Sequence, residues 1–211
     1  LFARALELAA TFDDPRICRI VAEAASSVCQ GEIIQTQRRF DLTLTKKEYF
    51  KIIELKTGAL FAVAAQLGAR ISQASDEIQL QLKEFGLKIG TAYQIYDDCI
   101  DLVGDEITTG KTLGTDLEKG KLTLPLLNLI SSGTEAQKEK LNQRILLKEP
   151  IDTNALAGIA DYDGAIERAL ETGRSLLTES RELLSPLNES SYKTGLIKIT
   201  NYLEKLFTDC I

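Results

Sequence analysis

The spacing of apolar residues along the chain predicts helices almost throughout. Apolar side chains recur every three or four residues, the period of one helix face, and no sustained two-residue alternation appears. Pro15 suits the first turn of one helix, Thr45 with Glu48 makes a capping box, and Ser75 or Asp76 caps another helix. The predicted helices cover approximately residues 1–11, 15–37, 45–71, 75–103, 122–130, a stretch opened by residue 134, 163–184 and 190–207. The pattern therefore predicts one all-α domain, a single-domain bundle of long helices.

Composition narrows the possible partners and location. The formal net charge is −6 and no concentrated basic face is present, so nucleic acid is not an expected partner. The four cysteines show no CxxC spacing, which predicts free thiols in a reducing compartment. The longest weakly polar run, Gly58 to Ala69, is shorter than the roughly 20 residues that cross a bilayer. We therefore expect a soluble, cytoplasmic protein with no transmembrane segment.

The absence of two residue types limits the possible chemistry and bears on the extent of the chain. It has no histidine, so an imidazole base, a Ser-His-Asp triad or a His-ligated metal cannot be built from it. It also has no methionine, and its opening "LFARALELAATF" has the pattern of the middle of a helix without a capping residue. The chain is therefore expected to be the remainder of a longer one.

The densest candidate chemistry is an acidic cluster in "YQIYDDCIDLVGDEITTGKTLGTD", residues 93–116. At about 100° per residue, Asp97 and Asp101 share a helix face, with Asp98 at its shoulder. Like charges at this spacing destabilise a helix unless something positive neutralises them. Converging carboxylates make a hard oxygen site suited to Mg²⁺, whereas the plainer interpretation is an exposed acidic helix end.

A cationic, glycine-rich segment follows the cluster. Lys111, Lys119 and Lys121 alternate with glycines, which let backbone approach a ligand, and lysine is a point charge for phosphate. "GDEITTGKT" is not a P-loop, because five residues instead of four separate its glycines and it follows a helix. Both a loop that folds over a diphosphate and an ordinary solvated loop are consistent with this segment.

A further candidate cation is Lys56, beside Thr57 in "ELKTGALF". It is either a surface residue or a cation for the same diphosphate.

Taken in order, these elements resemble the trans-type isoprenyl diphosphate synthases, also called polyprenyl synthetases. "DDCID" looks like the second aspartate-rich motif, DDxxD, of that family, and the similarity extends through "GKTLGTDLEKGKLTLPL", "GEIIQ", "YFKIIELKTGALF" and "QLGA". It covers essentially the whole chain, most strongly residues 31–127, and implies the isoprenoid synthase fold. Residues 1–211 would be the C-terminal two-thirds of a polyprenyl synthetase domain. The family's earlier DDxxD is not found, since "DDPRI" has Ile17 where the third aspartate belongs, and it is expected upstream of Leu1 with the missing N-terminal helices.

The resemblance also implies roles for particular side chains. The implied metal-binding residues are Asp97, Asp98, Asp101 and Asp116, with Asp98 in a supporting place and Asp116 acting through water. The implied substrate-binding residues are Gln35, Lys56, Thr57, Phe61, Gln94, Lys111 and Lys121. Among these, Lys56, Asp97, Asp98 and Lys111 are the implied catalytic residues.

The implied reaction is the Mg²⁺-assisted condensation of isopentenyl diphosphate with an allylic diphosphate, giving a longer all-trans polyprenyl diphosphate. The resemblance implies a homodimer, and the wording of "GEIIQ" and "KTGALF" favours a medium or long product. Without the first aspartate motif, this chain alone is expected to be inactive. Two alternatives stay open, a non-catalytic regulatory subunit of a heteromeric prenyl synthase and, disfavoured by "KTGALF" and "GKTLGTD", a class I terpene cyclase.

Overall fold

The structure, a computed structural model, describes residues 1–104, 110, 112–147 and 161–210. Within those residues it has helices, turns and no strand, which confirms the all-α prediction. The helices are α1 (Phe2–Ala9), α2 (Pro15–Gln37), α3 (Lys46–Ile53), α4 (Ala59–Ile71), α5 (Asp76–Val103), α6 (Thr115–Glu118), α7 (Leu124–Ser132), α8 (Glu135–Leu147), α9 (Tyr162–Glu182) and α10 (Ser191–Thr208). A π-helical turn, Glu54–Gly58, joins α3 to α4 and is called the π turn below.

Local capping chemistry starts several helices where the sequence predicts them. The side chain of Asp14 caps α2, Thr45 and Glu48 form the capping box of α3, and Ser75 caps α5. Asp14 also pairs with Arg70 over 2.7 Å, so the second aspartate of "DDPRI" connects the start of α2 to the end of α4. That stretch therefore has a structural role.

Helix α5 is the central helix of the bundle. It packs against α4 on one side and α9 on another, and α7 and α10 add further contacts. Its Ala92, Ile95 and Cys99 are fully buried and belong to the same core as Leu170 of α9 and Phe207 of α10. Because core packing fixes these faces of α5, it also fixes the direction in which the acidic cluster points.

Two glycines allow α4 and α5 to approach each other closely. A Cβ atom at Gly86 would lie 2.3 Å from the backbone oxygen of Phe61, and one at Gly90 would lie 2.8 Å from the Cα of Gly58. Since α4 follows directly on the π turn, this close approach also sets the distance between the π turn and the middle of α5.

The continuous helix Lys46–Ile71 bears on the predicted absence of a membrane span. By length and composition alone it could cross a membrane, with a mean hydropathy of 1.3 over its most apolar window, 28% of which is buried. The predicted absence of a span rested on the shorter run at residues 58–69 and did not include this longer segment. The helix also packs against α5 and carries Glu54 and Lys56, which would be costly in hydrocarbon. The absence of a membrane span stays a prediction.

Candidate active site

The acidic cluster opens into a cavity near the C-terminal end of α5. Asp97 and Asp101 line this cavity of about 210 Å³ from α5, and Asp116 and Lys121 line it from the segment that follows. We call it the acidic pocket. The structure thus brings together four of the side chains that the sequence analysis assigned to one site.

Backbone N–H groups hold the segment after α5 against Asp101. The amide of Gly114 donates to the carbonyl oxygen of Asp101 over 2.8 Å, and the amides of Thr115 and Asp116 donate to its carboxylate over 3.3 Å and 3.0 Å. Gly114 has a φ of 73°, a left-handed value that glycine adopts without steric cost. Asp101 therefore anchors the first turn of α6 as well as lining the pocket, and its burial raises the pKa of its carboxyl group.

Lys121 is held in the acidic pocket by an ion pair with Asp116. Just before it, Gly120 packs against the ring of Phe40, whose backbone N–H donates to the Gly120 carbonyl over 2.8 Å. Burial disfavours the charged form of Lys121, but the hydrogen bond and charge of Asp116 outweigh it, so the pKa of Lys121 is raised. Lys121 is therefore a fixed positive charge in the pocket.

A second group of side chains forms a buried hydrogen-bond network beside the acidic pocket. Thr57 Oγ1 donates to Gln94 Oε1 over 2.7 Å, and Gln94 Nε2 donates to Asp98 Oδ1 over 2.8 Å. The Tyr49 hydroxyl donates to Asp98 Oδ2 over 2.6 Å. We call Tyr49, Thr57, Gln94 and Asp98 the polar network. It connects α3, the π turn and α5 through residues that are far apart in sequence.

Burial distinguishes Asp98 from the other predicted metal ligands. Asp98 is 3% exposed, both its oxygens accept side-chain hydrogen bonds, and it is not among the residues that line the acidic pocket. Desolvation raises its pKa to about 7, although the hydrogen bonds from Tyr49 and Gln94 act in the opposite direction. This position fits the supporting place that the resemblance implies, and direct ligation of a metal by Asp98 stays a prediction.

Tyr49 was not predicted to be a site residue, because it lies among apolar residues at the start of a predicted helix. Burial raises the pKa of Tyr49 well above its ordinary value, so the hydroxyl keeps its proton and acts as a donor. One signal was available in the sequence, since a tyrosine on a core-facing position needs a hydrogen-bond partner for its hydroxyl. The sequence alone does not say which carboxylate that partner is.

The π turn presents Lys56 towards α2. Lys56 Nζ donates to Gln35 Oε1 over 3.3 Å, so these two predicted substrate-binding residues are in contact. The helices meet closely here because α2 has a glycine at this level, where a Cβ on Gly31 would lie 2.7 Å from the Lys56 backbone nitrogen. Single π turns within α-helices often occur at functional sites, and this one carries both Lys56 and Thr57.

Two of the predicted residues belong neither to the acidic pocket, nor to the polar network, nor to the Lys56–Gln35 pair. Phe61 is 37% exposed and its ring centroid lies 5.8 Å from that of Tyr93, at the surface between α4 and α5. Lys111 lies outside the described residues. The substrate contacts predicted for both side chains stay predictions.

The donor set of the acidic pocket suits a divalent cation that is shared with a ligand. Within the described residues, no three His, Cys, Asp or Glu side chains are grouped so as to hold a metal ion. Mg²⁺ typically takes one or two protein carboxylates and fills its shell with waters and substrate phosphates. Asp97 and Asp101 supply two such carboxylates on one wall of the pocket. The residues therefore fit a Mg²⁺ ion that binds together with a diphosphate.

An apolar cleft runs along the helix faces that carry Gln35 and Lys56. Its volume is about 590 Å³, and α1, α2 and α4 form its walls. On α4, Leu60 and Ala64 lie about one and two turns beyond Lys56, and on α2, Val28 lies two turns before Gln35. A hydrocarbon chain that extends from a head group near Lys56 would thus meet apolar side chains.

The chain is similar to known proteins of one family. Residues 1–162 match the family described as polyprenyl synthetase. The chain is 29% identical to a geranylgeranyl diphosphate synthase of Methanosarcina mazei (87% of this chain, 56% of the relative) and 30% identical to heptaprenyl diphosphate synthase component 2 of Bacillus subtilis (97% and 58%). The fold is similar to that of a polyprenyl synthase from Caulobacter crescentus, whose structure is complexed with calcium and isoprenyl diphosphate. The TM-score is 0.86 and the sequence identity is 29%, and the match covers 96% of this chain and 62% of that chain. The chain thus spans less than two thirds of the length of these relatives.

Proposed function

We propose, from the premise that this chain belongs to the polyprenyl synthetase family, that the protein condenses isopentenyl diphosphate with an allylic diphosphate to give a longer all-trans polyprenyl diphosphate. The acidic pocket carries this proposal, because it combines two carboxylates one helical turn apart with the fixed cation Lys121. We further propose that the chain is part of a single polyprenyl synthetase domain and acts in the cytoplasm.

In this proposal the allylic diphosphate binds between the carboxylates and the lysines. Asp97 and Asp101 would hold Mg²⁺ with the diphosphate, and Asp116 would contact the metal through water. Mg²⁺ would withdraw electron density from the leaving diphosphate when bound. Lys56 and Lys121, with Lys111 as a third predicted cation, would stabilise the negative charge that develops on it.

The proposed reaction breaks the allylic C–O bond, whose electron pair leaves on the diphosphate. The double bond of isopentenyl diphosphate then forms the new C–C bond to the allylic carbon, and the resulting cation loses one proton to the departing diphosphate. This route requires no imidazole, in agreement with a chain that has no histidine. The apolar side chains of the cleft would keep water away from the allylic chain, and water would otherwise capture the allylic cation.

Product analysis tests this function directly. The natural polypeptide that contains these residues, incubated with isopentenyl diphosphate, an allylic primer and Mg²⁺, should yield a diphosphate longer than the primer. Chromatography of the dephosphorylated product measures its length, and a chelator of divalent metals should abolish its formation. A cyclic hydrocarbon as the main product would instead support the terpene cyclase alternative.

The volume of the apolar cleft, about 590 Å³, supports a second prediction, that the product is of medium or long chain. Replacing Ala64 by phenylalanine should fill part of the cleft and shift the products towards shorter chains. Ala22 on α2 is exposed and does not line the cleft, so Ala22→Phe is a matched control that should leave the product length unchanged. An unaltered product distribution for Ala64→Phe would contradict the proposed path of the chain.

A heteromeric assembly is a second candidate, because one relative is named as component 2 of a heptaprenyl diphosphate synthase. Under this alternative, prenyl transfer would appear only after a second, different polypeptide is added. The proposed homodimer would instead be active alone and would have twice the protomer mass in solution. Activity measurements on the purified protein, together with its mass in solution, therefore separate the two assemblies.

A further inference from the structure

We propose that Tyr49 is a positioning residue for the acidic pocket and acts through Asp98. The inference rests on the proposed function only for the identity of what the pocket binds. The Tyr49 hydroxyl donates to Asp98 Oδ2 over 2.6 Å, and Tyr49 lines a small recess together with Lys121, Leu122 and Thr123. Tyr49 therefore contacts α5 and also lies beside the segment that carries Lys121.

The neighbours of Tyr49 come from different parts of the fold. Tyr49 lies on α3, Asp98 lies on α5, and residues 121–123 lead into α7, which begins at Leu124. Because Tyr49 is 3% exposed, water cannot readily replace its hydrogen bond to Asp98.

The arrangement places Tyr49 between the two sides of the acidic pocket. Asp98 directly follows Asp97, which lines the pocket from α5. Lys121, which lines the pocket from the other side, also lines a small recess together with Tyr49. Tyr49 thus lies between the helix that carries the carboxylates and the segment that carries the cation.

Loss of the hydroxyl would leave the buried Oδ2 atom of Asp98 without its hydrogen-bond partner. The Asp98 side chain would have to move towards a new partner, since an unsatisfied buried polar group is costly. This movement would displace the adjacent Asp97 carboxylate relative to Lys121 across the pocket. We therefore expect weaker binding of a metal–diphosphate complex by a protein that is still folded.

A purely structural role gives a different expectation. A tyrosine hydroxyl that only satisfies the core would lower thermal stability when removed, but the remaining folded protein would bind ligand as before. Binding measured below the unfolding transition distinguishes the two roles, because it reports on the folded molecules.

The test is the binding of Mn²⁺ with inorganic diphosphate to Tyr49→Phe, followed by the electron paramagnetic resonance of free Mn²⁺. We expect the Kd to rise about tenfold or more relative to the wild-type protein. Tyr162→Phe is the matched control, because it also removes a hydroxyl that donates to α5, here to the Leu102 carbonyl oxygen over 3.1 Å. Its Kd should stay within about twofold of the wild-type value. Unchanged binding by Tyr49→Phe, or an equal loss for Tyr162→Phe, would overturn the proposal.

A second set of variants covers the case in which Tyr49→Phe does not fold. Fluorinated tyrosines at position 49 keep the hydroxyl and make it a progressively stronger donor, so the Kd should change progressively with fluorination. A Kd that is independent of fluorination would overturn the positioning role. The wild-type protein separates the two proposals: binding of Mn²⁺ and diphosphate without prenyl transfer would refute only the proposed function, whereas absence of binding would refute both.

Discussion

Replacement of Asp97 by alanine is expected to lower kcat/KM for prenyl transfer by about a thousandfold, which corresponds to about 4 kcal/mol of transition-state stabilisation. Asp97 lines the acidic pocket on the same helix face as Asp101, and the proposed metal–diphosphate complex depends on both carboxylates. The half-buried Asp97 is not part of the apolar core, so the free energy of unfolding should change by no more than about 1 kcal/mol. Steady-state kinetics over a range of Mg²⁺ concentrations, with thermal unfolding of the same samples, measure both quantities.

The choice of Asp97 instead of Asp101 matters for this experiment. Asp101 accepts the N–H groups of Thr115 and Asp116, so its replacement would also release the first turn of α6. A loss of activity in that variant would mix metal binding with local unfolding. Glu77, an exposed carboxylate in the first turn of α5, offers a matched control, and Glu77→Ala should retain wild-type turnover. Wild-type turnover in Asp97→Ala would refute the metal site, and with it the mechanism proposed for this pocket.

Much of the fold could be predicted because its determinants are local. Asp14, Ser75 and the Thr45–Glu48 capping box each act within three residues of a helix start, and the structure has these helix starts within about one residue of the predicted positions. The π turn was not predicted, and Lys46–Ile71 was expected to be a regular helix. The π turn lies where Lys56 contacts Gly31 and Gln35 of α2. The periodicity of apolar residues along one helix carries no information about such a contact between helices.

The candidate site also has features that could be predicted from the sequence and features that could not. Helical spacing correctly placed Asp97 and Asp101 on one face, and both line the acidic pocket. It could not show that Asp98 is turned into the core, because that depends on Tyr49, which is 49 residues away in sequence. Nor could it show the partner of Thr57, since the contact with Gln94 depends on how closely α4 and α5 pack. Side chains of one helix are predictable from sequence, whereas contacts between helices depend on the packing of both.

Replacement of Gly86 by alanine is expected to lower the free energy of unfolding by about 3 kcal/mol, the upper range for overpacking a well-packed core. The added Cβ atom would lie 2.3 Å from the Phe61 oxygen, 2.7 Å from the Phe61 carbonyl carbon and 2.8 Å from the Ala62 Cα. These are backbone atoms, so no side-chain rotation can relieve the overlap and α4 must move away from α5. Chemical denaturation, read by circular dichroism, measures the change.

Gly68 is a control for helix propensity on the neighbouring helix α4. A Cβ at Gly68 would meet nothing within 4 Å, so Gly68→Ala should raise stability by about 0.5 to 1 kcal/mol, as alanine favours a helix more than glycine does. The same substitution should thus have opposite signs at the two positions. Separation of α4 from α5 should also lengthen the contact between Thr57 and Gln94, which is 2.7 Å in the native fold, and so weaken the polar network. Folded Gly86→Ala protein should therefore lose activity as well as stability. Equal stability of the Gly86→Ala and Gly68→Ala variants would show that α4 and α5 are not held together by this close glycine contact.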